Sequence, residues 1–191
     1  TQHLIDILAK YNVKTTFFVV GDWVDKYPES VKALHDAGHE VMSHSDHHDH
    51  YNSLSTSQIV ADIQTSCDKI EAVTGSCPTL IRCPYGEYDD HVISAVRSLG
   101  MEPIQWDVDS LDWKDYDADT IYQRVTSRVQ PGSIVLFHNA ALHTPEALPR
   151  ILEYLINDGY TVLPISQLIL TGDYTIDHTG RQFAAETVSA E

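Results

Sequence analysis

The sequence predicts an α/β fold built on a parallel sheet. Six short runs of apolar and β-branched residues alternate with segments of helical periodicity. Gly38, Gly75, Gly100 and Gly159 close four of those helical segments. The reactive side chains fall just past the apolar runs instead of along helix faces. Strands that alternate with helices need crossover connections, and crossovers make neighbouring strands parallel.

The elements follow in order. Residues 2–11 set Leu4, Ile5, Leu8 and Tyr11 on one helical face. Residues 15–20 (TTFFVV) form a β-branched and aromatic run that reads as a buried strand. Residues 26–37 read as a helix with Pro28 in its first turn and Gly38 past its end. Residues 39–42 are a second strand. Residues 56–74 are a long helix, with Thr56 as cap and Gly75 as stop. Strands at 79–82, 103–108 and 133–138 alternate with helices at 90–99, 118–129 and 145–158. A last strand at 160–163 precedes a short helix at 165–170. From Thr171 the chain is polar and reads as irregular, so residues 1–170 form one domain and 171–191 a C-terminal tail. The first element is a helix, whereas a βα repeat opens on a strand; one strand is therefore expected ahead of Thr1. Periodicity leaves open whether the sheet is open or closed.

The chain has 191 residues and is 42% hydrophobic, enough for one sizeable core. Its formal net charge is −16, which argues against binding nucleic acid or an anionic membrane. No stretch approaches the roughly 20 apolar residues of a membrane span. Cys67, Cys77 and Cys83 have no zinc-site spacing, and their odd number demands no disulfide. No signal peptide opens the chain, an observation of little weight because Thr1 reads as an interior position.

Four strand ends carry the chemistry, and in parallel α/β sheets the carboxyl ends of the strands line the active site. His44 and His48 follow the second strand. Histidines four apart share one face of a helical turn, so both imidazoles can reach one ion; zinc suits them, as do cobalt and nickel. A catalytic zinc site takes three protein ligands, so a carboxylate or another His is needed. Arg82 and Tyr85 end the third strand, in Arg-Cys-Pro-Tyr-Gly. Arg82 can hold a carboxylate with two hydrogen bonds, and Pro84 and Gly86 shape a turn able to aim a backbone N–H at an oxyanion. Asp109, Asp112 and Trp113 follow the fourth strand. A carboxylate beside a His orients the ring and favours its protonated form, and a Trp can wall a sugar pocket. Leu136 and His138 end the fifth strand.

Taken in order, these groups resemble the polysaccharide deacetylases of the NodB-homology type, carbohydrate esterase family 4. H-[ST]-x-x-H is matched by His44, Ser45 and His48; R-x-P-[YFW] by Arg82, Pro84 and Tyr85; D-x-x-D-[WY] by Asp109, Asp112 and Trp113; and L-x-H by Leu136 and His138. The TTFFVVG segment also looks like that family's second strand. The resemblance implies a distorted (β/α)7-type barrel, here without its first strand. It implies metal binding by His44 and His48, most simply of Zn2+, with Co2+ or Ni2+ as alternatives. Arg82 would hold the catalytic Asp, the Tyr85 N–H would bind the oxyanion, and His138 would be the general acid. Asp112 would pair with His138, with Asp109 as the alternative partner. Leu136 and Trp113 would wall the acetyl-methyl pocket.

One departure matters. The family's T-F-D-D-G motif supplies the catalytic base and the third metal ligand, and no D-D-G occurs in this chain. Both aspartates are expected upstream of Thr1, the chain reading as a fragment of a longer one, with a natural truncation as the alternative. A folded sample of these residues alone would then be expected to hold its N-terminal segment as a separate peptide. The expected reaction is N-deacetylation of N-acetylglucosamine units in peptidoglycan or a chitin-like polysaccharide. An O-acetyl xylan esterase and a non-catalytic glycan- or metal-binding relative are the alternatives. A metalloprotease is disfavoured, because the His pair lacks the glutamate of H-E-x-x-H. Such a substrate lies outside the cytoplasm, so an extracellular or cell-surface location is expected.

Overall fold

A computed structural model describes residues 1–185. The parallel strands β1 (Thr16–Val19), β2 (Glu40–Ser43), β3 (Leu80–Ile81) and β4 (Glu102–Pro103) pair in sequence order. Strands β5 (Val108–Asp109) and β6 (Val135–Leu136) form a second parallel pair. The helices are α1 (Gln2–Lys10), α2 (Gly21–Lys26), α3 (Pro28–Asp36), α4 (Thr56–Thr74), α5 (Asp90–Ser98), α6 (Ala118–Thr126), α7 (Thr144–Asn157) and α8 (Ile165–Leu168). The fold is thus α/β with parallel strands, as the alternating pattern predicts.

Side-chain alternation along β1 separates two cores. Phe17 and Val19 point to the helices and pack with Leu4, Leu8, Val31, Leu34 and Leu152. Phe18 points the other way and joins Met42, Leu80, Ile104, Ile134 and Ile165. That inner cluster draws on β1, β2, β3, the segments beside β4 and β6, and α8. A layer with contributions from successive strands is how a βα barrel fills its interior. Among the described residues, backbone ladders do not link the two parallel sheets into a closed cylinder.

Several elements differ from expectation for identifiable reasons. The single helix expected at 26–37 is α2 and α3, broken at Tyr27 (φ −135°, ψ 54°). Pro28 lacks the N–H that would continue α2 and disfavours helical backbone in the residue before it. Ser55, not Thr56, caps α4, through a reciprocal capping box with Gln58; Gly75 ends it at φ 74°. The strand expected at 103–108 splits into β4 and β5 because the chain changes partners. The Ile104 N–H still bonds Ile81, whereas Asp107 spends its carboxylate on the Ile134 N–H and the Ser133 hydroxyl. Residues 160–163 join no ladder among the described residues, although Val162 packs into the core. The segment after Thr171 is not wholly irregular. It holds an antiparallel hairpin, β7 (Tyr174–Ile176) with β8 (Gln182–Ala184); the rest of the expected tail, 186–191, lies outside the described residues.

Candidate active site

His44 leaves the end of β2, its N–H bonded to the Val19 carbonyl of β1 at 2.9 Å. The two histidines do not sit on a helical turn. Ser45 (φ 70°) and His48 (φ 61°) are both left-handed, and the loop folds back on itself. The Ser45 hydroxyl accepts the His48 N–H at 2.8 Å, which holds the reversal and explains a hydroxyl residue after the first histidine.

The result is chemically what a ligand pair needs. The two Nε2 atoms stand 3.2 Å apart. Two donors on one tetrahedral ion, with bonds of about 2.0–2.1 Å, are separated by about 3.3 Å. His44 Nδ1 lies 2.6 Å from the Arg82 carbonyl; donation there leaves Nε2 with its lone pair free. Burial pushes the His44 imidazole down to about 4 and lowers His48 as well, which favours the neutral form of both rings, the form a metal ion needs. The pair therefore fits a divalent ion. Among the described residues no third His, Cys, Asp or Glu joins it.

Arg82 follows β3 and is buried, its guanidinium 4.6 Å over Phe18 and 5.5 Å from the Trp106 ring. Burial lowers it to about 10, which leaves it charged. Its Nη2 donates weakly to the Gln105 carbonyl at 3.4 Å, while Nε has no partner among the described residues. A buried guanidinium with an unused donor is suited to a carboxylate. Tyr85 is left-handed (φ 58°), and its N–H meets no acceptor among the described residues. Its exposed ring stacks on His50 at 4.0 Å and meets the edge of His48 at 4.5 Å. Gly86 behind it cannot carry a Cβ, which would lie 2.7 Å from Trp106.

Asp112 and His138 form the other half. Asp112 is fully buried; its Oδ1 takes His138 Nδ1–H at 2.8 Å, and its Oδ2 accepts the His138 N–H at 2.8 Å and the Thr144 hydroxyl at 2.6 Å. Burial alone would raise the carboxyl, but those hydrogen bonds together hold it below its ordinary value. Asp109 is not the partner: its Oδ1 accepts the Leu111 N–H at 2.9 Å and shapes the turn. His138 is 42% exposed, its Nε2 has no hydrogen-bond partner among the described residues, and a charge on its ring would add to burial in lowering His44 and His48. Trp113 is exposed beside Asp112, and Leu136 is buried at the end of β6, two residues before His138. The buried Cys83 thiol is pushed up to about 12 by burial, as an inert filler would be.

Sequence reasoning missed Thr144, Trp106 and Phe18. Thr144-Pro145 reads as a helix start, so its hydroxyl looks committed to capping, yet it makes no cap and serves Asp112.

Comparison with known proteins agrees with this geometry. The polysaccharide deacetylase family model matches residues 1–104. The peptidoglycan-N-acetylmuramic acid deacetylase PdaC of Bacillus subtilis is 36% identical over 88% of this chain and 35% of its own length. The peptidoglycan-N-acetylglucosamine deacetylase PgdA of Listeria monocytogenes is 34% identical, again over 88% of this chain and 35% of its own. The chain thus spans about a third of the length of these curated relatives. Among solved structures, BA3943 of Bacillus anthracis, described as a CE4 family pseudoenzyme, superposes with TM-score 0.84 at 35% identity, over 87% of this chain and 59% of that one.

Proposed function

Because the chain belongs to the polysaccharide deacetylase family, we propose that this site hydrolyses acetyl groups from a polysaccharide, with the N-acetyl amides of peptidoglycan sugars as substrate. The observation that carries the reading is the meeting, on one rim, of two neutral imidazoles at ligand spacing and a His138 held by a buried carboxylate. The names of PdaC and PgdA support peptidoglycan as the polymer.

His44 and His48 would hold a divalent ion, Zn2+ being the simplest choice for two imidazoles and a carboxylate. Such an ion, when bound, polarises the acetyl carbonyl and lowers the pKa of water. The chain's own groups supply the rest. The Tyr85 N–H is available to donate to the carbonyl oxygen as negative charge develops there. Arg82 would orient the carboxylate that takes the proton from the attacking water, a group not found beside it among the described residues. Water adds to the carbonyl carbon, the C–N bond breaks, and His138 Nε2 delivers its proton to the departing amine; acetate and a free amino sugar result. Asp112 keeps the His138 ring in the tautomer and orientation that make this transfer direct. Trp113 and Leu136 would wall the space for the acetyl methyl. A glycan of the cell wall implies an exported or surface protein.

A second reading, glycan binding without turnover, is favoured by the likeness to the BA3943 pseudoenzyme. Acetate release by the full-length polypeptide from purified peptidoglycan and from acetylated xylan separates the options. Release from peptidoglycan supports the proposal; release from xylan alone moves it to an O-acetyl esterase; release from neither leaves binding.

A further inference from the structure

On the reading of His44 and His48 as ligands, we propose that Asp46 and Lys69, backed by Asp62 and Tyr51, are positioning residues that fix the spacing of the ligand pair.

The turn between the two histidines is anchored on every side. The Ser45 and Asp46 carbonyls accept the Gly21 and Asp22 N–H groups, each at 3.0 Å. These are first-turn donors of α2, which have no partner inside the helix. The Asp46 N–H donates to Asp62 Oδ2 at 3.0 Å, and the same oxygen takes the hydroxyl of the wholly buried Tyr51 at 2.6 Å. The Asp46 side chain is itself buried. Lys69 Nζ lies 2.7 Å from its Oδ1 and 2.8 Å from Asp25 Oδ2, and His47 Nε2 lies 3.1 Å from its Oδ2. Lys69 meets Oδ1 off the hydrogen-bond line, so an ion pair is what balances that oxygen.

Asp62 and Lys69 are seven residues apart, two turns of α4 and one face, and both are aimed at the residue midway between the ligands. An ion pair between two solvent-exposed side chains contributes little. This one ends on a buried carboxylate in a loop whose Ser45 and His48 adopt backbone conformations that L residues rarely take. Holding such a loop in one shape is what keeps the two Nε2 atoms 3.2 Å apart. Groups that orient metal ligands from behind typically change affinity by about 10–100-fold when removed.

The test is zinc affinity of the full-length polypeptide, measured by competition with a chelator at a temperature where every variant is folded. Lys69→Met is expected to weaken zinc binding about 10–100-fold, and Lys69→Arg to restore most of it. Where Lys69→Met does not fold, Lys69→Met/Asp46→Asn leaves no unpaired buried charge and is expected to show the same weakening. A merely structural pair would lower the melting temperature in chelator and leave zinc affinity unchanged; that result overturns the inference while the metal reading stands. Wild type that binds no zinc overturns the metal reading itself, and the inference with it.

Discussion

Asp112 holds His138 at two points, its Oδ1 on the ring Nδ1–H and its Oδ2 on the same residue's backbone N–H, both at 2.8 Å. The ring can therefore neither rotate nor exchange tautomers without breaking a buried contact. Nε2 is the ring nitrogen left free of that carboxylate.

Asp112→Asn removes the anionic partner of the protonated ring. The rate in the full-length polypeptide is expected to fall by roughly 10²–10⁴-fold, the contribution of a positioned acid. The rate of acetate release by both proteins is the check, and an undiminished rate in Asp112→Asn would remove Asp112 from this role.

The same carboxylate links stability to pH. Its folded-state value lies below its ordinary value of 3.8, so the unfolded chain binds the proton more readily. The stability it contributes is present in full above that ordinary value and is lost as pH falls through the lower folded value. The gap in melting temperature between wild type and Asp112→Asn should thus be constant from about pH 7 to 5 and close on further acidification. A gap that widens on acidification has the wrong sign for this account.

Gly21 starts α2 against the loop from His44 to His48. A Cβ there would lie 1.8 Å from Asp46 Oδ1 and 3.1 Å from the Asp46 Cα, so backbone as well as side chain must move. Gly21→Ala is expected to cost about 1–3 kcal/mol in urea unfolding. Unchanged stability would show that the loop yields freely.

How much of this was legible in the sequence depends on what each residue does. His44, His48, Arg82, Tyr85, Asp112 and His138 were readable because each follows an apolar run, and strand ends in a parallel sheet share one rim. The choice of Asp112 over Asp109 needed coordinates, since both lie in one acidic loop and differ only in direction. The reversal at Ser45 and His48 was hidden because i, i+4 spacing suits a helical turn equally well. Thr144 was hidden because a hydroxyl at a helix start has a local use. The split near Pro103 turned on a change of strand partner, which local propensity does not encode.

Residues 1–191 contain no D-D-G sequence, and no carboxylate among the described residues completes the His pair or meets Arg82 Nε. These residues alone are expected to release no acetate, with activity restored when an upstream segment that carries the acidic pair is added, covalently or as a peptide. A folded, active preparation shown by mass spectrometry to contain only residues 1–191 would contradict this.

The most direct measurement is acetate release from peptidoglycan by the full-length polypeptide as isolated, after chelation, and after zinc is returned, beside His44→Ala and His48→Ala. Chelation is expected to abolish activity and zinc to restore it, and the two variants are expected neither to retain zinc nor to turn over. Undiminished acetate release after the metal is removed, or full activity in either histidine variant, would contradict it.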